Sequence, residues 1–168
     1  MKRFLSALLV SGCLLGTFPA LSLAQSGLTL FSGVKRENQL SYRLDFGGQT
    51  NDWERYRLRI PQRKMKVAAA KFVIRYPNYY EGTFDTDEVE IKVKGKKVKV
   101  SEVKWDQEGN VLEIYPEKPV AAGNRVEIIF SNVEKPSSGG IFYFHGSVLS
   151  PGDVPLPRYL GTWIIDIS

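Results

Sequence analysis

Val89-Glu90-Ile91-Lys92-Val93-Lys94-Gly95-Lys96-Lys97-Val98-Lys99-Val100 alternates apolar and charged residues on both sides of one glycine. Successive side chains of a strand point to opposite faces, so a period of two describes half-buried antiparallel strands. Lys94-Gly95-Lys96 is then the turn of a hairpin. The same period recurs outward from this stretch. Tyr42, Leu44 and Phe46 alternate with Ser41, Arg43 and Asp45, and Tyr56, Leu58 and Ile60 alternate with Arg55, Arg57 and Arg59. Val126, Ile128 and Phe130 share one face, as do Trp163, Ile165 and Ile167. Gly47-Gly48, Pro61, Pro77, Gly109-Asn110, Gly123-Asn124, Gly139-Gly140 and Pro151-Gly152 fall between the runs, where turns are needed. Many short strands at this spacing predict an all-β fold, a single antiparallel β-sandwich that is immunoglobulin-like or related. Ala68-Ala69-Ala70 leaves room for one short helix over 62–71, and Leu28 to Asn38 reads as an N-terminal strand or arm.

The first 24 residues read differently. Met1-Lys2-Arg3 is a short positive region, Phe4 to Phe18 is apolar, and Ser22-Leu23-Ala24 places small residues where a signal peptidase cuts. This is the three-part pattern of a secretory signal, with residues 25–168 left as one domain. A spanning helix needs about 20 apolar residues, and Gly12, Gly16 and Pro19 interrupt the run. No transmembrane segment is therefore expected in the mature chain. Val10-Ser11-Gly12-Cys13 offers an alternative cut, with Cys13 lipidated, but the apolar run continues beyond it. After cleavage at Ala24 no cysteine remains, so packing alone must hold the domain. The chain carries 23 Lys+Arg against 18 Asp+Glu, a formal charge of +5. Cleavage lowers that by two, a mild imbalance that argues against nucleic acid as a partner.

His145 is the only histidine, with Ser147, Ser150 and Asp153 near it in sequence. A hydrolytic triad needs its nucleophile on a sharp turn facing an oxyanion hole. Here the serines sit in a strand-like segment, so a structural or surface histidine is the better reading. One histidine and no mature cysteine cannot supply a zinc or copper site. Asp106, Glu108, Asn110 and Glu117 echo a calcium loop, but Val111 stands where that loop needs glycine. Asp85, Asp87 and Glu88 are the cluster best suited to calcium, against the plainer reading of a solvated loop. No cofactor is expected. The lysines Lys92, Lys94, Lys97 and Lys99 give the hairpin a positive face for lipid headgroups, acidic polysaccharide or an acidic protein. Edge lysines also keep neighbouring molecules from pairing strand to strand. Tyr79, Tyr80 and Phe84 follow Pro77 at a strand exit, where a loop could display rings to a partner. Phe142-Tyr143-Phe144 are consecutive, so either some of these rings are displayed to sugars or a protein partner, or the strand is buried on both faces or covered by the segment Pro151 to Pro157.

Several segments together resemble a family of cyanobacterial secreted proteins known only as a domain of unknown function. They are Arg55-Tyr56-Arg57-Leu58-Arg59-Ile60-Pro61, Phe72-Val73-Ile74-Arg75-Tyr76-Pro77, Tyr80-Glu81-Gly82-Thr83-Phe84, Val133-Glu134-Lys135-Pro136, Gly139-Gly140-Ile141-Phe142-Tyr143-Phe144 and Pro157-Arg158-Tyr159-Leu160-Gly161-Thr162-Trp163. The resemblance implies a cyanobacterial source and an envelope or lumenal address, and it brings no catalytic residues.

These readings converge on an exported, non-enzymatic binding or accessory protein in the periplasm, the thylakoid lumen or the medium. Its expected partner is an envelope protein or polysaccharide. Two alternatives stay open: a polysaccharide-acting enzyme with a carboxyl pair, and a purely structural or assembly factor.

Overall fold

A computed structural model describes residues 33–152 and 156–168, and Gly33–Ser168 form one compact unit. The signal peptide, the Cys13 motif and residues 28–32 of the N-terminal arm lie outside the described residues, as does Asp153. The alternating runs become strands: β1 (Gln39–Leu40), β2 (Tyr42–Leu44), β3 (Trp53–Ile60), β4 (Lys71–Arg75), β5 (Val89–Val93), β6 (Lys96–Val98), β7 (Val100–Asp106), β8 (Val111–Pro116), β9 (Val126–Glu134), β10 (Gly140–Leu149) and β11 (Pro157–Ile167). They build two sheets, ordered β1-β11-β10-β4-β8-β7 and β2-β3-β9-β5-β6. The fold is an all-β sandwich. One pairing departs from the antiparallel pattern, because β1 runs parallel to β11 at a sheet edge.

The sheets meet through the residues that the period of two sets inward. Tyr56, Leu58 and Ile60 of β3 and Ile128 and Phe130 of β9 face Phe72, Ile74, Leu112, Ile114, Phe144, Trp163 and Ile165 of the other sheet in one buried cluster. Trp163 is the largest of these side chains, and its indole N–H donates to the Arg59 carbonyl across the sandwich at 3.2 Å. It fits because Gly146 offers no side chain there: a Cβ on Gly146 would stand 2.7 Å from the Trp163 ring. Phe142 and Phe144 enter the core and Tyr143 points outward, so this strand alternates and is not covered on both sides.

The structure corrects the expected helix. Residues 62–71 do not form an α-helix. They hold a single 3₁₀ turn, Gln62–Lys64, after Pro61. Ala69 then exchanges backbone hydrogen bonds with Val120, and the Ala70 N–H reaches the Leu149 carbonyl. Those ladder bonds take the backbone groups a helix would need. Of the N-terminal strand or arm, the described residues 33–38 are an arm, ending in a 3₁₀ turn at Arg36–Asn38 before β1. The Lys94-Gly95 hairpin is as expected, with both residues at positive φ (52° and 85°), which suits the right-handed twist of the paired strands.

At the end of the sandwich where β3 starts and β9 ends, a charged pair lies inside. The Glu54 and Lys135 side chains are both fully buried, with Nζ 3.5 Å from the carboxylate. Glu54 also accepts N–H bonds from Phe46 (2.7 Å), Gly48 (3.0 Å) and Arg55 (2.8 Å). The carboxylate thus pins the loop between β2 and β3. The C-terminal residue closes the same loop, with Ser168 N–H donating to the Gly48 carbonyl and its own carbonyl accepting from Thr50.

Candidate binding surface

The aromatic loop after β4 separates two neighbours that the sequence presents together. A turn from Pro77 to Tyr80, closed by the Tyr80 N–H on the Pro77 carbonyl at 3.0 Å, leaves one ring outside and takes the next into the core, with Phe142 between them at 5.7 Å from Tyr79 and 5.1 Å from Tyr80. Tyr79 is 57% exposed, whereas Tyr80 is 3% exposed and Phe84 5%. Tyr80 stacks on Phe84 and meets Phe142 and Phe144 edge-on, at centroid distances of 5.6, 5.1 and 5.0 Å. Its hydroxyl lies 3.0 Å from that of Tyr56, and burial pushes both phenols well above their ordinary range. Phe84 packs on Phe130 and Trp105. Tyr80 and Phe84 are therefore core residues plugging the gap between the sheets, which corrects their expected display to a partner. Gly82 permits this, since a Cβ there would meet the Tyr80 hydroxyl at 2.5 Å. Tyr79 alone remains at the surface.

The lysine hairpin also divides. Lys92 stands opposite Lys97 on the outer face of the five-stranded sheet. Lys97 binds Glu90 at 2.6 Å, which holds the Glu90 carboxyl below its ordinary range. Lys94 sits in the turn itself. Lys99 follows β6, where the chain crosses to the other sheet, and pairs with Glu117 at 2.8 Å. Four lysines on one positive face is thus corrected to two, Lys92 and Lys97.

What these two join is larger than the hairpin. Arg55, Arg57 and Arg59 alternate with core residues along β3, so all three guanidinium groups emerge on the same outer face. Arg43 of β2 stands opposite Arg57. Next to Arg57 lies Ile129, and next to Ile129 lies Glu90. One strand position along, Arg59, Glu127, Lys92 and Lys97 form a cross-sheet row. Asp45 serves three arginines: Arg57 at 2.8 Å, Arg43 at 3.2 Å and Arg55 at 3.8 Å. Glu127 serves Arg59 at 3.0 Å and Arg57 at 3.7 Å. A cleft of about 290 Å³ opens at the lower end of this row, lined by Arg59, Lys92, Arg125 and Glu127. Counting Arg125, seven cations on this face meet four carboxylates: Asp45, Glu90, Glu127 and Glu134, the last standing opposite Trp53. The opposite outer face is balanced. There Lys71 binds Glu113 at 2.7 Å, Lys104 binds Glu102 at 3.4 Å, and Arg75 shares a cleft with Asp106. In the sequence, Arg55, Arg57 and Arg59 read first as a strand signal. Their alternation with Tyr56, Leu58 and Ile60 already placed them on one solvent face, and that was the available clue.

The remaining candidates have structural partners. Asp85 caps a 3₁₀ turn by accepting from the Asp87 N–H and also takes the Asn132 amide. Asp85, Asp87 and Glu88 do not converge, and among the described residues no three His, Cys, Asp or Glu side chains gather as a metal site. His145 Nδ1 pairs with the Thr162 hydroxyl at 2.7 Å, not with Ser147, and burial lowers its pKa. Glu113 shares the 330 Å³ cleft with Asp106, and Lys71 and the Tyr115 hydroxyl hold its carboxyl below the ordinary range. A glycosidase acid needs the opposite shift. No helix among the described residues is long and apolar enough to cross a membrane.

Over residues 28–167 the sequence matches the family described as "Protein of unknown function (DUF2808)". No curated protein matches it. Among solved structures, the bacterial hydrophobin BslA aligns at 13% identity and a TM-score of 0.49, over 77% of this chain and 92% of that one. The collagen-binding domain of a Staphylococcus aureus adhesin aligns at 10% identity and 0.44, over 76% and 95%. An uncharacterized Nocardia farcinica protein with an immunoglobulin-like fold aligns at 9% and 0.42, over 77% and 98%. These are likenesses of fold.

Proposed function

We propose, on the premise that the chain belongs to the DUF2808 family, that it is an exported, non-enzymatic binding module of the cell envelope or thylakoid lumen. It holds its partner on the outer face of the five-stranded sheet. One observation carries this reading: seven cations meet four carboxylates on that face, while the opposite face is balanced. Such a surplus attracts anions and speeds their encounter.

Two experiments test it. The exported form is expected to begin at Gln25, read by intact mass of protein recovered from the producing cells. A mass that starts at a lipidated Cys13 or retains Met1 contradicts that. For the surface, the triple variant R59Q/K92Q/R125Q is expected to lose retention on envelope fragments by roughly tenfold or more, with a weaker salt dependence. A matched triple on the other face, K71Q/R75Q/K104Q, is expected to bind as the unaltered protein does. Equal losses in both would remove the assignment to this face.

A further inference from the structure

The basic face has an aromatic end. Phe46 is 59% exposed and Trp53 57% exposed, which is unusual for two large rings beside charged neighbours. The Arg55 guanidinium lies over the Phe46 ring at 5.8 Å. Trp53 shares the outward alternation of Arg55, Arg57 and Arg59, and Glu134 of β9 stands opposite it, its carboxylate accepting from the Thr83 hydroxyl at 3.1 Å. The strip from Trp53 to Arg59 is about 20 Å long, at roughly 3.3 Å per residue, and its outward positions repeat about every 6.6 Å.

The backbone that carries these rings is held in place. Glu54, immediately after Trp53 in the chain, accepts the Phe46 N–H, and Lys135 lies against its carboxylate inside the fold. The backbone at both aromatic positions therefore rests on a buried ionic anchor, which lowers the ordering cost of binding there.

We infer that this strip binds an anion-bearing polysaccharide, an inference that rests on the binding-module reading above. Phe46 and Trp53 stack on sugar rings, and Arg55, Arg59, Lys92 and Arg125 take carboxylate or sulfate groups. Three features favour this occupant. The cations form regularly spaced rows along the strands, which suits a polymer with repeating charge. The face already binds carboxylate well: Arg57 Nε reaches the two Asp45 oxygens at 2.8 and 3.0 Å, the charge-assisted contact a uronate would offer. And the apolar groups are in the wrong place for other partners. A protein interface puts its apolar part at the centre and its polar part at the rim. Here the centre is charged, Ile129 within it is buried, and the rings stand at one end.

The test uses the purified protein with four probes: alginate, dextran sulfate, uncharged dextran, and vesicles of phosphatidylglycerol. Binding is read by tryptophan fluorescence and by light scattering. Alginate or dextran sulfate is expected to bind saturably, and uncharged dextran is expected not to bind. F46A and W53A are each expected to weaken binding about tenfold, the loss of one anchoring ring, with an unchanged thermal midpoint. R59Q is expected to weaken it too and to flatten its salt dependence. If F46A and W53A bind both polymers normally while the arginine variant does not, the polysaccharide inference fails and the basic-face reading stands. The same holds if the vesicles bind and neither polysaccharide does. If no anion binds, or the arginine variant binds as the unaltered protein does, both fail.

Discussion

Exchange of Glu54 for leucine is expected to cost about 3–5 kcal/mol or to abolish folding. The substitution removes the acceptor for three backbone N–H groups and leaves the Lys135 ammonium buried without its counter-charge. Stranding a charge inside a protein is among the few single changes with effects this large. Lys135→Met is expected to be milder, because Glu54 keeps its three N–H donors while methionine fills the space of the lysine stem. The double variant should then recover part of the loss, since removing both charges removes the desolvation cost with them. Urea unfolding midpoints decide it. A Glu54→Leu variant within about 1 kcal/mol of the parent would show that this pair does not anchor the loop.

Tyr80→Ala is expected to cost about 3–5 kcal/mol, the range for deleting a buried aromatic ring. Tyr80 meets Tyr76, Phe84, Phe142 and Phe144 and joins the two sheets through Tyr56. Tyr80→Phe keeps those ring contacts and leaves the Tyr56 hydroxyl without its partner, so about 1 kcal/mol is expected. Tyr79→Ala, one residue away, is expected to stay within about 0.5 kcal/mol of the parent, as exposed positions do. The contrast between neighbours is the measurement: equal effects of Tyr79→Ala and Tyr80→Ala on the thermal midpoint would contradict the placement of the two rings.

Much of the fold is legible in the sequence because it depends on a local rule. The period of two from Val89 to Val100 places both strands of the hairpin, and Lys94-Gly95 supplies the positive φ values that its turn requires. The same rule sends Phe142 and Phe144 inward and Tyr143 outward once the strand is half-buried on one side. The rule weakens where the chain turns. Nothing in Tyr79-Tyr80 says which ring enters the core, because that depends on a gap between sheets lined by residues more than 60 positions away, Phe142 and Phe144. Three consecutive alanines suggest helix locally, yet Val120 and Leu149 claim the backbone of Ala69 and Ala70. Lys135 reads as a surface lysine, since lysine is almost never buried unless paired, and its partner Glu54 lies on another strand. The site shows the same division. That Arg55, Arg57 and Arg59 share a face follows from spacing alone. That Arg43, Lys92 and Arg125 complete the surplus follows only from strand order, which sets β3 between β2 and β9 and brings β5 to the other side of β9.

The most direct test of the basic-face reading is an amide chemical-shift map recorded while an anionic polymer, alginate or dextran sulfate, is added to the protein. Perturbations are expected to cluster on residues 53–59 of β3, 125–129 of β9 and its approach, and 90–97 of the hairpin, and to fade with added salt. Perturbations centred on residues 71–75 and 104–115 of the opposite sheet, or none at all, would contradict it.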